Sequence, residues 1–349
     1  MPDLLTEITE IVTGLGMTGI DGPHDALKAR PGVMRNVSDH HWDRLDAAWD
    51  ERNHVEAFAG AWANGRAFFE ASDGLRGRVP RVIEWKGSHQ PPGFDFIPVD
   101  LRIDHVYLVS CKYQSKILAN SSPSNLFLRR LADRTVSPDN TSWYEVSAPE
   151  EYQHFYSCVR HHVGEALLPT TPQQLTTDHV ALIRSACGGA WPKPLVPAWA
   201  ELSLAVATRS ASLWLEQLRT PARREEMLWR LLRLGATSYF VLGWSDTGPL
   251  RLRIATPWDW RQHFDFRQLQ LAAAPAGQPK VTWSARLVDR KDGAERSVGG
   301  HVEIRWAHGR FSSVEAKIYL DTPHADVPGY FPLAAGVVRV GRGVQASLL

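Results

Sequence analysis

The sequence predicts an α/β N-terminal core, a central mixed sheet flanked by helices, over residues 1–148. A helical middle segment (149–235) and a β-rich C-terminal subdomain (236–349) follow. Three observations predict this. Apolar residues recur at helical spacing on either side of a cluster of short alternating runs between residues 81 and 113. Helical periodicity then continues to about residue 234. Beyond it the pattern changes to strands punctuated by turn residues.

Residues 3–15 read as a helix with Leu4, Leu5, Ile8, Ile11 and Val12 on one face. Residues 39–50 and 53–71 are also helical by spacing; Val55, Phe58, Ala59, Trp62 and Phe69 make the second apolar stripe, and Asn53 is placed to cap it. Gly74 and Gly77 end that pattern. Arg81–Lys86 is a short β-like run and Gly87–Gly93 a loop by composition. Phe94–Ile103 alternates, Asp104–His105 can turn, and Val106–Tyr113 is a strong strand. The last two runs nearly touch in sequence, so an antiparallel hairpin is the cheapest arrangement. Residues 122–133 read as a helix opened by Ser122 and Pro123. Helical periods then cover 150–164, 176–187, 197–218 and 221–234, separated by prolines. Strands are expected at 238–244, 250–255, 280–289, 300–306 and 316–320, with a hairpin turn at 289–293. The Gly-rich tail after Pro332 carries no clear element.

With 349 residues, two domains is the default expectation, at about 100–200 residues each. The formal net charge of +1 requires any nucleic-acid surface to be a local basic patch. Three cysteines argue against a disulfide framework and for a reducing compartment. The N-terminus lacks the pattern of a secretory signal, and no run approaches the roughly 18 apolar residues that span a bilayer. The expectation is a cytoplasmic protein without membrane contact. Phosphate-loop, dinucleotide-fingerprint and esterase-elbow motifs are absent from the sequence.

Glu84–Lys112 carries the chemistry. Cleaving a phosphodiester needs an activated water and neutralised phosphate charge. Carboxylates can hold Mg²⁺ for both purposes, and a lysine can orient or deprotonate the water. Ser110 and Lys112 stand two apart on one strand, hence on one face, within reach of an aspartate on the neighbouring strand. Lys112 also follows the apolar run VYLV, where a lysine is costly without partners.

This segment resembles the PD-(D/E)xK nuclease superfamily: an acid on one strand, acid-x-lysine on the next, then a helix. Asp100 matches the first acid and Ser110-Cys111-Lys112 the second element. The resemblance covers roughly residues 53–135. It implies Mg²⁺ (Mn²⁺ as substitute) held by Asp100, Glu84, Asp95 and the Cys111 carbonyl. Lys112 would act on water, Ser110 would assist, and DNA would be the substrate, in a restriction-like or defence setting, with homodimerisation left open. The sequence departs from the family in having Ser110 where an acid is usual, and a hydroxyl is a far weaker Mg²⁺ ligand. Asp95 either compensates or is itself the first acid. For the further carboxylate on the preceding helix or first strand, Glu84 is preferred over Glu70 and Glu56. A second register, Asp73 with Glu84-Trp85-Lys86, ranks behind because 74–80 makes a poor strand.

Arg129 and Arg130, after the hairpin, and Arg305 and Arg310, in a run mixed with aromatics, are candidate nucleic-acid contacts; packed or solvated surfaces explain them equally well. Glu315-Ala316-Lys317 reads as an exposed charged strand face. Cys158, His161 and His162 read as ordinary helix residues rather than zinc ligands. The rival function is a non-catalytic nucleic-acid-binding or assembly protein on a degenerate nuclease fold, favoured by Ser110.

Overall fold

The computed structural model describes residues 3–87, 99–113, 117–131, 141–245 and 248–334. The described strands are β1 (Met34–Arg35), β2 (Ile83–Trp85), β3 (Leu101–Ile103), β4 (Tyr107–Tyr113), β5 (Ile117–Ser121), β6 (Tyr239–Ser245), β7 (Gly248–Ile254), β8 (Phe264–Ala273), β9 (Lys280–Asp289), β10 (Glu295–Trp306), β11 (Val314–Leu320) and β12 (Tyr330–Pro332). Seven form a mixed sheet in the order β1-β2-β3-β4-β6-β7-β12. The other five form a separate antiparallel sheet, β5-β11-β10-β9-β8. The expected α/β character is present.

The expected hairpin is β3–β4, antiparallel with Leu101 opposite Val109. Three residues, Asp104–Val106, join the paired Ile103 and Tyr107, and the Val106 amide closes a tight turn onto the Ile103 carbonyl whose central residues, Asp104 and His105, have positive φ, 49° and 59°. That pair of left-handed residues matches the right-handed twist of the strands it joins. Asp104 holds the turn in place by accepting from the Arg81 and Val82 amides and from Arg78. β2 adds antiparallel to β3, and β6 adds parallel to β4 with Lys112 opposite Gly243.

That parallel pairing overrides the three-segment division 1–148, 149–235, 236–349. The compact units are discontinuous: Met1–Ser115, Gly235–Thr256 and Gly329–Leu349 make one, and Lys116–Leu234 with Pro257–Pro328 make the other. A parallel neighbour needs a long crossover connection, and here the chain builds Lys116–Leu234 of the second unit between β4 and β6 and the rest of it, Pro257–Pro328, between β7 and β12. The helical middle and β8–β11 therefore belong together. In that second unit the helix Val196–Gln217 packs on β8 and β9 and on the helix Pro149–Val163.

In the first unit the N-terminal helix runs over residues 4–16, α-helical at Leu4–Glu7 and Thr13–Gly16 with a π-turn over Ile8–Val12. It packs on the helix Val55–Glu70. Gly16 and Gly65 meet at that crossing; a Cβ on Gly65 would collide with the Thr13 carbonyl, and one on Gly16 with that of Trp62. Both helices lie on the sheet through Ile8, Ile11, Leu15, Phe58, Phe68, Ile83, Leu101, Val109 and Leu242. Asn53 does not cap the second helix. His54 takes that position at φ 63°, and the Asn53 amide donates to Glu51 instead. The helix expected at 122–133 is α-helical only over Pro123–Phe127.

Candidate active site

Asp100 stands immediately before β3 and receives two hydrogen bonds from the neighbouring strand. The Cys111 amide donates to its Oδ2 at 2.6 Å, and the Ser110 hydroxyl to the same oxygen at 3.2 Å. β4 runs past the start of β3, which leaves the Cys111 N–H to a carboxylate rather than to a strand partner. Ser110 itself is fully buried. Asp100 is thus at hydrogen-bond distance from Ser110 and Cys111, while Lys112 acts on it through charge.

The second carboxylate is Glu10. It sits in the π-turn of the N-terminal helix, a widened turn of the kind often found at functional positions. Thr9 and Thr13 donate their hydroxyls to carbonyls one turn back, Leu5 and Thr9, within the same stretch. Trp85 of β2 donates its indole N–H to Glu10 Oε2 at 2.6 Å. The indole is held in turn: the edge-to-face His41 ring lies 4.7 Å away, and the Trp85 carbonyl accepts from Asn36. Burial, then the negative charge of Asp100, push the Glu10 carboxyl up from 4.5 to about 8, against the opposing pull of Trp85, Lys112 and Lys86. Burial likewise raises the Asp100 carboxyl, opposed by Lys112, by the Cys111 and Ser110 hydrogen bonds and by Lys86. Two carboxyls from distant parts of the chain therefore resist ionising together.

Lys112 lies at the strand position opposite Gly243. A Cβ at 243 would collide with the Lys112 backbone, so glycine permits the close approach. Asn64 bonds the Gly243 carbonyl at 2.9 Å and accepts from Arg251 at 3.0 Å, tying the helix Val55–Glu70 to this point.

The remaining expected residues distribute as follows. Glu84 does not join Asp100: Arg102 holds it with two hydrogen bonds, 2.6 and 2.9 Å, and His105 lies 3.1 Å away. Arg102 is its direct cross-strand neighbour on β3, so the nearest cation claims it, and its carboxyl is lowered mainly by that bond. Asp95 lies outside the described residues. The Cys111 thiol is buried and pushed well up, so its side chain is no thiolate ligand. Of the second register, Asp73 accepts from the Ala334 amide, Glu84 is engaged as above, and only Lys86 belongs to the charge cluster.

Arg129, Arg130, Arg305 and Arg310 fall in the other unit. Arg129 is half-buried. Arg130 lies 3.9 Å from Glu226 and its carbonyl accepts from Arg230. Arg305 pairs with Glu315 at 3.0 Å. Arg310 lies over the Trp191 ring and donates to the Gly189 carbonyl. Their aromatic neighbours Tyr144, Phe155, Trp199, Trp306 and Phe311 pack on one another as that unit's core. Lys317 lies 3.5 Å from Glu315, but their side chains are only 15% and 20% exposed, so the charged strand face expected to be exposed is largely covered. Cys158, His161 and His162 lie in the helix Pro149–Val163. Among the described residues no group of three His, Cys, Asp or Glu side chains, at the Glu10–Asp100 pair or elsewhere, is set to hold a metal.

Sequence reasoning missed Glu10 and placed Lys86 only in the second-ranked register. The available signal for Glu10 was an acid between Ile8 and Ile11 in a helix with a fully apolar stripe. No protein-family model, curated protein or solved structure matches the chain. Among the described residues no helix is long and apolar enough to cross a membrane.

Proposed function

We propose that this chain is a metal-dependent endonuclease hydrolysing phosphodiester bonds of DNA, in a restriction-like or defence role. The observation that carries the reading is the convergence of Glu10 and Asp100, two carboxyls raised chiefly by burial, the first also by the charge of the second, beside Lys112. Lys112 and Lys86 partly offset the charge of this pair, and the oxygen donors it offers a hard cation are the two carboxylates, the Ser110 hydroxyl and a backbone carbonyl. It falls one carboxylate short of the acid-x-lysine pattern. The acid on the N-terminal helix, Asp100 entering one strand and S-x-K on the next reproduce the order that the PD-(D/E)xK resemblance implies.

Asp100, Glu10 and the Cys111 carbonyl would hold Mg²⁺ or Mn²⁺. Such an ion, when bound, acidifies a water and neutralises phosphate charge. Trp85 fixes the Glu10 carboxylate and the Cys111 amide fixes that of Asp100, so neither must reorganise when substrate arrives. Ser110 orients Asp100 and contributes no charge. Lys112 holds the attacking water by hydrogen bonding.

The test is cleavage of plasmid and linear DNA, modified and unmodified, with Mg²⁺ or Mn²⁺. Cutting that chelator abolishes, and that Asp100→Ala, Glu10→Ala and Lys112→Ala each reduce by at least about a hundredfold, is the expected result. Cutting that survives all three substitutions sinks the assignment. DNA binding without cutting on any substrate supports the second reading, a non-catalytic nucleic-acid-binding protein. One observation favours that reading: the fully buried hydroxyl of Ser110 occupies the place of an acid.

A further inference from the structure

Beside the carboxyl pair, β6 and β7 carry two side chains that packing does not account for. Arg251 of β7 lies opposite Leu242 of β6, and Trp244 stands two residues beyond Leu242. Arg251 and Trp244 therefore project from one face of adjacent strands as diagonal neighbours. That face is turned to the helix Val55–Glu70. A Cβ on Gly60 would stand 3.8 Å from the Trp244 ring, and Asn64, one turn on, accepts from Arg251 Nε at 3.0 Å.

Asn64 is buried and uses both ends of its amide, the other donating to the Gly243 carbonyl at 2.9 Å. Arg251 is half-buried. Burial lowers its guanidinium, and among the described residues no carboxylate opposes that pull. A cation drawn partly out of water without a counter-ion is a standing cost, and an anionic ligand removes it. Trp244 is 40% exposed and follows five buried residues on β6.

The pair lies next to the candidate site. Lys112 of β4 faces Gly243, and Tyr113 faces Trp244. Trp244 is one strand from that end of β4 and Arg251 two, about 5 and 10 Å by strand spacing. A guanidinium fork matches phosphate oxygens, and an indole stacks on the face of any base. A duplex keeps those faces stacked inside it, whereas a single strand leaves them open. One cation beside one exposed ring fits an unpaired strand; the outside of a duplex offers phosphates to cations and no base face to a ring.

Resting on the nuclease reading above, we propose that Trp244 and Arg251 form a binding subsite for single-stranded DNA beside Lys112, Trp244 stacking on a base and Arg251 donating to a phosphate next to it. Asn64 is a positioning residue, orienting the guanidinium and holding the strand that faces Lys112.

The test is binding in chelator, so its outcome does not depend on a bound ion. Fluorescence anisotropy follows a labelled single strand of about 12 nucleotides and its duplex between about 50 and 200 mM salt. The proteins are the full chain, Trp244→Ala, Trp244→Phe, Arg251→Gln and Arg251→Lys. The single strand should bind at least about tenfold tighter than the duplex. Trp244→Ala should weaken single-strand binding by about tenfold and leave duplex binding within about threefold; Trp244→Phe, which keeps a ring, should recover to within about threefold of wild type. Arg251→Gln should lower the slope of log affinity against log salt by about 0.7, and Arg251→Lys should keep the wild-type slope. A duplex bound as tightly as the single strand, single-strand affinity unchanged in Trp244→Ala, or a salt slope unchanged in Arg251→Gln overturns the proposal while leaving the nuclease reading intact. A wild-type chain that binds neither form and never cuts removes both.

Discussion

Substituting Glu10 by Gln removes a carboxyl that is raised first by burial and then by the charge of Asp100. Gln keeps the shape of the side chain and an oxygen to accept the Trp85 indole N–H, but it cannot ionise. In the folded protein the Glu10 carboxyl sits at about 8 rather than its ordinary 4.5. Between those values the native state holds a proton that the unfolded chain has released. Stability from this group is therefore complete below about pH 4.5 and is lost as pH rises towards 8. At about 1.4 kcal/mol per tenfold change in proton affinity the loss is at most about 5 kcal/mol. Glu10 shares the proton with Asp100, which is raised too, so on the order of 3 kcal/mol is expected to appear. The assay is urea denaturation of wild type and Glu10→Gln at pH 6, 7, 8 and 9 in chelator. The variant should gain on wild type steadily between pH 6 and 8 and hold a constant lead above. Adding Mg²⁺ at pH 8 should narrow that lead, because the ion compensates the ionised pair only in wild type. Parallel curves for the two proteins would refute the claim that burial and the charge of Asp100 raise the Glu10 carboxyl.

Four further outcomes are expected. Gly65→Ala should destabilise the protein by about 1–3 kcal/mol and reduce cleavage as well, because the added carbon meets the Thr13 carbonyl and moves the helix that carries Glu10; thermal unfolding and DNA cutting check the two parts. Gly243→Ala should cost a similar amount by pushing on the Lys112 backbone, measured by the same denaturation. Trp85→Phe removes the indole donor to Glu10, which should weaken Mn²⁺ binding by about tenfold, read by calorimetry. Glu84→Gln should leave cleavage within about threefold of wild type, since this carboxylate is engaged with Arg102 and His105; a hundredfold loss would return it to the site.

The part of the site legible in the sequence is the part built locally. Asp100 and Ser110-Cys111-Lys112 lie ten to twelve residues apart across a three-residue connection, and strand alternation plus one turn suffices to bring them together. Glu84 shows where such reasoning stops. Its strand was placed correctly, but its partner was decided by cross-strand register, which put Arg102 directly opposite. Register also brought Lys86 to Asp100, although Glu84-Trp85-Lys86 had been ranked as a rival motif rather than as a contributor to the same site.

By itself the sequence determined the α/β class, the positions of most helices, the β3–β4 hairpin and its Asp104–His105 turn, because helical period, strand alternation and turn chemistry are properties of neighbouring residues. The tertiary structure alone decided the rest. It placed β6 beside β4, more than a hundred residues away, and so drew Gly235–Thr256 out of the β-rich third into the first unit. It also laid the N-terminal helix against the Val55–Glu70 helix through Gly16 and Gly65, which fixes where Glu10 projects. The physical reason is common to both. Long-range pairing and helix crossing are set by which surfaces can approach closely while burying apolar area together, and that complementarity does not exist until the whole unit is assembled.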